Sequence, residues 1–152
     1  MRYDAGAFPG SPVARGILVG LAPYKLDNMV AEGFDVLTNK PRVQAYRAPG
    51  GTPAAFAVEA LMDAIAKEID VDPLTFRQKN AAKEGDTLPL GMPLNRIGLT
   101  EMLGEIAKHP CWTSPLNGPH RGRGLALGYW IGGSFTSSAE IKINPDATAS
   151  IF

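Results

Sequence analysis

The sequence predicts an α+β fold in which a helical hairpin packs against short mixed β-strands. Apolar residues recur at helical period over residues 53–69 and again after residue 72, and they alternate over residues 137–144 as they do in strands. The chain has 152 residues, of which 45% are hydrophobic and 20% charged, so it is long enough and apolar enough for one domain with a core. Its 17 glycines and 13 prolines are scattered, which indicates many turns and short elements.

The first part of the chain is predicted to hold only short elements. Gly and Pro interrupt any period in residues 3–12, so a loop is expected there. Residues 16–22 are apolar and fit either a strand or a short buried helix. Residues 30–38 favour a strand, with Phe34 and Val36 on one face.

The strongest helix prediction begins after residue 51. Thr52 suits the N-cap, and Pro53 suits the first helical position. One apolar stripe at helical period is expected to face the core, formed by Val58, Leu61, Met62, Ile65 and Ile69. The polar side is expected to carry Glu59, Asp63, Lys67 and Glu68.

A second helix is predicted to start at Asp72, which suits the N-cap, with Pro73 at the first position. It is expected to end near Asn80. Arg77 and Asn80 are expected to form contacts at the end of this helix rather than to take part in catalysis.

A third helix is predicted after a polar, exposed connection over residues 83–98. Thr100 is expected to cap it and Pro110 to stop it. Its buried face is expected to consist of Met102, Leu103 and Ile106. Cys111 is expected to be buried as a small hydrophobic residue.

The C-terminal part is predicted to be extended. Residues 114–120 have the composition of a linker, and residues 121–130 form an apolar, strand-like run whose glycines indicate close packing or bulges. Residues 137–144 and 148–152 are predicted to pair as a β-hairpin around a turn at residues 144–147.

Charge and cysteine content exclude several classes of function. The net charge is +0, so a broad electrostatic contact with nucleic acid is not expected, and the basic cluster of His120, Arg121 and Arg123 is expected to be solvated. The single Cys111 excludes an internal disulfide and an iron–sulfur cluster held by this chain alone. We find no apolar run of membrane-spanning length and no secretory signal pattern.

The turn before the longest predicted helix is the candidate site. Arg47 supplies a fixed positive charge, and Gly50 and Gly51 allow close approach of a ligand to the backbone. A helix N-terminus with free amide groups suits an anionic ligand. Plain turn chemistry explains the same glycines. A nucleotide-binding loop is disfavoured because no Lys-Ser/Thr pair follows them.

The residues around this turn carry a resemblance to a known family. The resemblance is carried by the runs Thr38-Asn39-Lys40-Pro41, Ala45-Tyr46-Arg47-Ala48-Pro49-Gly50 and Ala55-Phe56-Ala57-Val58-Glu59. These runs resemble the molybdenum hydroxylases, the xanthine dehydrogenase and aldehyde oxidase family, in the molybdopterin-binding large subunit. Segments 72–80 and 121–143 support the resemblance in the same order.

The resemblance implies a partial molybdopterin-binding domain of this type, present as an internal fragment. Residues 1–116 are then part of the first half of that domain. Residues 117–152 are the start of the second half, ending in a truncated hairpin. The family's general base, a glutamate, and a further Gly-rich cofactor loop are expected beyond residue 152, and an earlier Gly-rich loop before residue 1.

Site residues also follow from the resemblance. Arg47, Ala48, Gly50 and Gly51 are expected to bind the cofactor, with the backbone of Arg47 beside the molybdenum. Pro49 is expected on the substrate side, and a proline there implies a substrate other than a flat purine stacked on that residue. Glu59 is expected to be a structural residue.

The implied cofactor is molybdopterin, or its cytosine dinucleotide form, carrying molybdenum. Iron–sulfur clusters and FAD are expected on other domains or subunits. The expected partners are the remaining segments of the molybdenum subunit and the iron–sulfur and flavin subunits, in an oligomer with no nucleic acid and no membrane span. The expected compartment is the cytoplasm, with the periplasm as the alternative.

The implied activity is that of a molybdenum-dependent oxidoreductase, which hydroxylates aldehydes or N-heterocycles with oxygen derived from water. The 152 residues alone are expected to be inactive. The alternative hypothesis is a non-catalytic, stand-alone binding or subunit-interaction module, in which uncovered strand edges and apolar surface associate with another chain.

Overall fold

The computed structural model describes residues 1–89, 91–132 and 136–152, and it has the helices and short strands of an α+β protein. Its elements are β1 (Arg2–Gly6), α1 (Val13–Gly20), β2 (Phe34–Leu37), α2 (Gly51–Glu68), α3 (Pro73–Asn80), α4 (Leu99–Lys108), α5 (Pro110–Thr113), β3 (Ile141–Ile143) and β4 (Ala149–Ile151). Helix α2 is central: α1 and α3 both pack against it, and α4 packs against α3.

The opening of the chain contains a strand, so the loop prediction for residues 3–12 is wrong over its first residues. Strand β1 pairs in parallel with β2, with Arg2 opposite Phe34 and Gly6 opposite Leu37. Gly6 adopts a φ of +70°, and a side chain there would lie 2.2 Å from the Pro41 carbonyl oxygen. The glycine therefore marks the end of the strand rather than an unstructured stretch.

Most of the apolar run 16–22 lies in helix α1, which ends at Gly20, so a helix rather than a strand forms there. Helix α1 buries Leu18 and Val19 and places two glycines, Gly16 and Gly20, against its neighbours. At Gly20 an added Cβ would lie 3.1 Å from the Cβ of Ala54 on α2, so the two helices approach each other closely along small residues.

Helix α2 begins earlier than predicted and buries a different face. Its N-cap is Gly50, and the predicted cap Thr52 lies exposed inside the first turn. Of the predicted stripe, Val58 and Met62 are buried, whereas the exposed members are Leu61, Ile65 and Ile69. The core-facing residues are Ala54, Val58, Met62 and Ala66. The stripe prediction failed because α1 and α3 cover the small-residue face, and Glu59 of the predicted polar side is buried with it.

Helix α3 confirms its predicted start and end, whereas Arg77, expected in a helix-end contact, is buried and paired with Glu59 of α2. Asp72 accepts a hydrogen bond from the Thr75 amide at 2.8 Å, and Pro73 holds the first helical position. At the other end, the side-chain amide of Asn80 donates to the Phe76 carbonyl at 2.8 Å, which is the helix-end contact expected of it.

Helix α4 ends before Pro110 as predicted, but its cap and part of its face differ. Its N-cap is Gly98 rather than Thr100. Leu103 is fully buried, whereas Met102 is about half exposed. Pro110 then opens the one-turn helix α5, and Cys111 on it is exposed, contrary to the prediction.

Two apolar clusters form the core. The larger one joins the helices and contains Tyr24, Val58, Met62, Leu74, Ala81, Leu99, Leu103 and Leu127. The smaller one contains Ala22, Ala82, Leu88 and Leu94. Two of its residues belong to segment 83–98, so that segment is not an entirely exposed connection as predicted.

The described residues of the C-terminal arm, residues 117–152, are mostly exposed, and outside the hairpin they form no helix or strand. Residues 121–132 form no strand, so the strand prediction there is wrong, and part of the predicted stretch 137–144 is also unpaired. The β-hairpin is confirmed in a shorter form: β3 pairs antiparallel with β4, with Ile141 opposite Ile151. In the described parts of the chain, no helix has the length and apolar character needed to cross a membrane.

Candidate functional site

The predicted site turn, residues 47–51, adopts an unusual backbone. Ala48 has a φ of 56°, which is rare for a residue with a side chain, and Gly50 has a φ of 80°. The Gly51 amide donates to the Ala48 carbonyl at 2.9 Å. The Gly50 carbonyl accepts from the Ala54 amide at 3.2 Å and from the Tyr3 hydroxyl at 2.9 Å. The turn is therefore fixed to both β1 and α2.

Packing explains why both positions in this turn are glycines. A Cβ on Gly50 would lie 2.2 Å from the Pro12 carbonyl oxygen and 2.8 Å from the Gly16 amide nitrogen. A Cβ on Gly51 would lie 3.3 Å from the Trp130 ring. Close approach within the protein, rather than approach of a ligand, is thus the observed role of these glycines.

A concavity of about 340 Å³ lies beside this turn, between the start of α2 and the C-terminal arm. Its lining consists of Val19, Gly20, Pro23, Ala48, Gly51, Thr52, Ala55, Leu127, Gly128, Tyr129 and Trp130. The wall from the arm is largely aromatic, and the wall from α2 presents small residues and one hydroxyl. The concavity is shallow and mostly apolar with few polar groups, and its volume lies at the lower end of the range of ligand pockets.

The structure brings together only part of the predicted site. Ala48 and Gly51 line the concavity. Arg47 is exposed and does not line it, Pro49 is half-buried, and Gly50 is buried against α1. The neighbours that the sequence interpretation did not include are Thr52, Gly128, Tyr129 and Trp130.

The first turn of α2 offers one amide group for a ligand. The Gly51 amide is used within the turn, and Pro53 has no N–H group. The amide of Thr52 makes no hydrogen bond with any residue that the structure describes. It lies at the positive end of an 18-residue helix, where an anionic atom is stabilised.

A buried ion pair connects α2 and α3 further along α2. Arg77 is 0% exposed and Glu59 is 5% exposed. Arg77 donates to Glu59 Oε2 from Nε at 2.9 Å and lies 2.8 Å from it through Nη2. Arg77 Nη1 lies 2.8 Å from the half-exposed carboxylate of Asp63. Buried charges that are paired and hydrogen-bonded in this way avoid the cost of isolated burial.

Two further groups complete this cluster. The Tyr24 hydroxyl donates to Glu59 Oε1, and burial followed by the charge and hydrogen bond of Glu59 raises the pKa of Tyr24. The Leu127 amide donates to Glu59 Oε2 at 2.8 Å. Burial alone would lower the pKa of Arg77, but its hydrogen bonds to Glu59 and Asp63 outweigh burial and raise it. The contacts thus favour the charged guanidinium of Arg77, and the cluster joins four segments of the chain.

Both the sequence and the fold of the chain are similar to those of known proteins. The sequence model of the molybdopterin cofactor-binding domain matches residues 1–81, which is more than half of the chain. The chain belongs to the molybdopterin cofactor-binding domain family. The resemblance to the molybdenum hydroxylases is confirmed by the relatives described next.

Two relatives illustrate the similarity in sequence. The aldehyde oxidoreductase of Megalodesulfovibrio gigas is 30% identical over 141 residues, covering 86% of this chain and 15% of that protein. A xanthine dehydrogenase molybdenum-binding subunit of Escherichia coli is 31% identical over 127 residues, covering 75% of this chain and 17% of that protein.

The crystal structure of the aldehyde oxidoreductase of Desulfovibrio desulfuricans superposes with a TM-score of 0.73 at 26% identity, covering 99% of this chain and 18% of that chain. The fold is therefore that of the molybdopterin-binding domain of aldehyde oxidoreductase. The chain spans less than one fifth of the length of each of these three proteins.

Proposed function

We propose that this chain forms one wall of the molybdopterin site of a molybdenum-dependent hydroxylase. The observation that supports the proposal most directly is the concavity where a strained turn and the start of α2 meet the Trp130 wall. Strained backbone is concentrated at functional sites in proteins. Together with membership of the molybdopterin cofactor-binding family, this favours a cofactor at the start of α2.

The residues present fit such a cofactor. A flat heterocycle suits the aromatic wall of Tyr129 and Trp130. A negatively charged phosphate suits the Thr52 amide at the helix N-terminus, and the exposed guanidinium of Arg47 lies close by in sequence. Gly128 adds no side chain to the rim, and no atom lies within 4 Å of the place its Cβ would take.

The chain's own contribution is binding and orientation. The Thr52 amide holds an anionic atom, Trp130 covers the ring, and Ala48 shapes the edge of the site nearest to Arg47. The bound molybdenum group supplies the redox chemistry by which such enzymes hydroxylate aldehydes or N-heterocycles. Pro49 is proposed to face the substrate, which disfavours a flat purine stacked at that position.

The larger assembly is part of the proposal. Residues 1–116 are assigned to the first half of a molybdopterin-binding domain and residues 117–152 to the start of its second half. Molybdopterin or its cytosine dinucleotide form is the proposed cofactor, with iron–sulfur and flavin groups on other domains or subunits. One relative is named as the molybdenum-binding subunit of a xanthine dehydrogenase, which supports association with further subunits.

Two glycine variants of the arm test the site. Gly128→Val adds bulk at the rim of the concavity, and Gly124→Val is its control, because both positions are open but only Gly128 lines the concavity. The purified chain is incubated under anaerobic conditions with molybdopterin released from a molybdenum enzyme, and binding is followed by quenching of tryptophan fluorescence. A Trp112→Phe background leaves Trp130 as the reporter.

We expect the original chain and the Gly124→Val variant to bind the pterin, and Gly128→Val to bind it at least about tenfold more weakly, which corresponds to ~1.4 kcal/mol. Absence of binding by the original chain, or equal affinity of the two variants, contradicts the proposed site. For the activity, a longer reading frame loaded with cofactor is assayed for oxidation of aldehydes and N-heterocycles, and the 152 residues alone are expected to show no turnover.

A stand-alone interaction module is the second candidate function. The observation in its favour is the exposed apolar face of the hairpin, where Ile141, Ile143 and Ile151 are each well over half exposed. Analytical ultracentrifugation with metal analysis separates the two candidates. A stable oligomer free of metal and pterin favours the module, whereas bound pterin favours the cofactor site.

A further inference from the structure

Among the residues that the structure describes, one main-chain hydrogen bond connects the arm's wall of the concavity to the helices. Residues 121–132 make no backbone–backbone hydrogen bond with any described residue. Their main-chain hydrogen bond to the helices is the one from the Leu127 amide to Glu59 Oε2, at 2.8 Å. Leu127 is buried, and a buried amide without a partner is costly, so the position of this acceptor restricts where the segment lies.

The acceptor is itself fixed. All the N–H groups of Arg77 have acceptors: Nε and Nη2 point to Glu59 Oε2, Nη2 also to the Glu59 carbonyl at 3.4 Å, and Nη1 to Asp63 and to the Pro73 carbonyl at 3.2 Å. The Tyr24 hydroxyl holds Oε1. Because a guanidinium is planar and its donors form a rigid fork, the Glu59 carboxylate cannot turn without breaking several charged hydrogen bonds.

The geometry connects this acceptor to the concavity. The side chain of Leu127 is buried in the helical core, and the next three residues form the aromatic wall. The Trp130 ring covers Gly51, whose Cβ would lie 3.3 Å from it. Glu59 and Gly51 lie on one helix, about 12 Å apart along its axis at 1.5 Å per residue. The segment is thus held at two points of α2.

We propose that Glu59 is a positioning residue of the cofactor site. Its carboxylate holds the Leu127 amide and thereby places Gly128, Tyr129 and Trp130 across the start of α2. Glu59 does not touch the cofactor or the substrate, and no proton transfer is assigned to it. This inference rests on the proposed function for its purpose, but the hydrogen bond and its effect on the arm are testable without cofactor.

The test uses the full 152-residue chain and hydrogen exchange of single amides measured by NMR. The double variant Glu59→Met/Arg77→Met removes the acceptor without leaving a buried unpaired charge, and such replacements are often tolerated. Asp63→Asn is the control: it also removes a carboxylate from Arg77 but leaves the Leu127 hydrogen bond in place. The Leu103 amide in α4 serves as the internal reference for global unfolding.

We expect exchange at Leu127, relative to Leu103, to accelerate by about 10- to 100-fold in the double variant, as for loss of a hydrogen bond to a charged group. In Asp63→Asn this ratio should stay unchanged. An unchanged ratio in the double variant overturns the proposal.

Two further measurements test the same proposal, one on the original chain and one with pterin. If the double variant does not fold, hydrogen exchange is measured on the original chain instead. The Leu127 amide should then exchange more slowly than the amides of Gly124 and Gly128. Equal exchange of the three overturns the proposal. In pterin titrations the double variant should bind at least about tenfold more weakly than Asp63→Asn. A chain that protects Leu127 but binds no pterin contradicts the proposed function and leaves the positioning contact standing.

Discussion

The helical part of the chain, residues 51–108, and the C-terminal arm meet at the concavity, but different forces hold them. In the helical part, Leu103 and Arg77 are 0% exposed, because Leu103 is packed in the apolar core and Arg77 is paired with two carboxylates. In the arm, Ile143 is 72% exposed, and within the described parts of the chain one main-chain hydrogen bond joins residues 121–132 to the helices.

Local stability in proteins follows the density of buried contacts. The wall of the concavity that comes from α2 is therefore expected to be the stable one. The wall that comes from the arm is expected to open more readily.

The largest effect is expected from Arg77→Met in the helical part. This change leaves the Glu59 carboxylate buried without its partner, which costs about 3–5 kcal/mol of unfolding free energy. Urea unfolding followed by circular dichroism measures it, and the Glu59→Met/Arg77→Met double variant should recover most of the loss. A double variant as unstable as Arg77→Met would show that packing, not charge, dominates at this place.

The next prediction compares the loss of unfolding free energy when one aliphatic side chain is truncated in each region. Leu103→Ala removes a fully buried side chain and is expected to cost about 2–5 kcal/mol. Ile143→Ala in the hairpin is expected to change the unfolding free energy by less than about 0.5 kcal/mol. Equal losses in the two variants would mean that the hairpin is covered in solution, which analytical ultracentrifugation would then reveal as self-association.

A smaller difference in stability is expected between alanine substitutions at two glycines with positive φ. Gly50→Ala places a Cβ 2.2 Å from the Pro12 carbonyl oxygen, whereas Gly118→Ala in the arm, at a φ of 93°, meets no atom within 4 Å. Gly118→Ala is expected to cost roughly 1–2 kcal/mol for the left-handed conformation alone. Gly50→Ala should cost about 2 kcal/mol more, because the backbone must also move. Thermal unfolding of the two variants decides, and similar losses would contradict the close packing of the turn.

The smallest effect concerns acid and lies outside both regions, in the β1–β2 pair. The Lys40 ammonium, then the Thr38 hydroxyl and the Gly6 amide, lower the pKa of Asp4 from 3.8 to about 2. A carboxyl with a lowered folded pKa stabilises the protein above its unfolded pKa, and this contribution is lost as the pH falls from about 4 towards 2.

Asp4→Asn should therefore unfold earlier than the original chain in urea at about pH 5 and no earlier at about pH 2. An equal difference at both pH values would contradict this role. Because the carboxylate is exposed to solvent, the effect should also weaken with added salt.

The sequence predicted well those features that local chemistry determines. The cap at Asp72 and Pro73, the end of α4 before Pro110 and the hairpin around residues 144–147 all depend on neighbouring residues, and all are confirmed. The extent of the hairpin strands was overestimated because alternation marks one face but not the length over which a partner is present.

The features that failed depend on distant partners. Glu59 was predicted on the polar side of its helix. It is buried because the ion pair with Arg77 of α3 offsets the free-energy cost of removing its carboxylate from water. Residues 121–130 are apolar enough for a strand, but the structure pairs them with a side chain of α2 rather than with another strand. The sequence prediction missed strand β1 because the glycines and prolines that follow it favour a loop.

The candidate site was predicted on one side only. Ala48 and Gly51 do line the concavity, whereas the facing wall from Gly128 to Trp130 is far away in sequence and was not included. The aromatic pair after a glycine-rich run is the signal that could have pointed to it. The assignment of Arg47 and Pro49 to cofactor and substrate stays a prediction.

The most direct test is a crystal structure of the chain with molybdopterin bound. We expect the pterin ring against Trp130 and a phosphate oxygen within hydrogen-bond distance of the Thr52 amide. A pterin ordered elsewhere, for example beside Met102 in the neighbouring concavity or on the basic residues Arg121 and Arg123, would contradict the assignment of the cofactor to the start of α2.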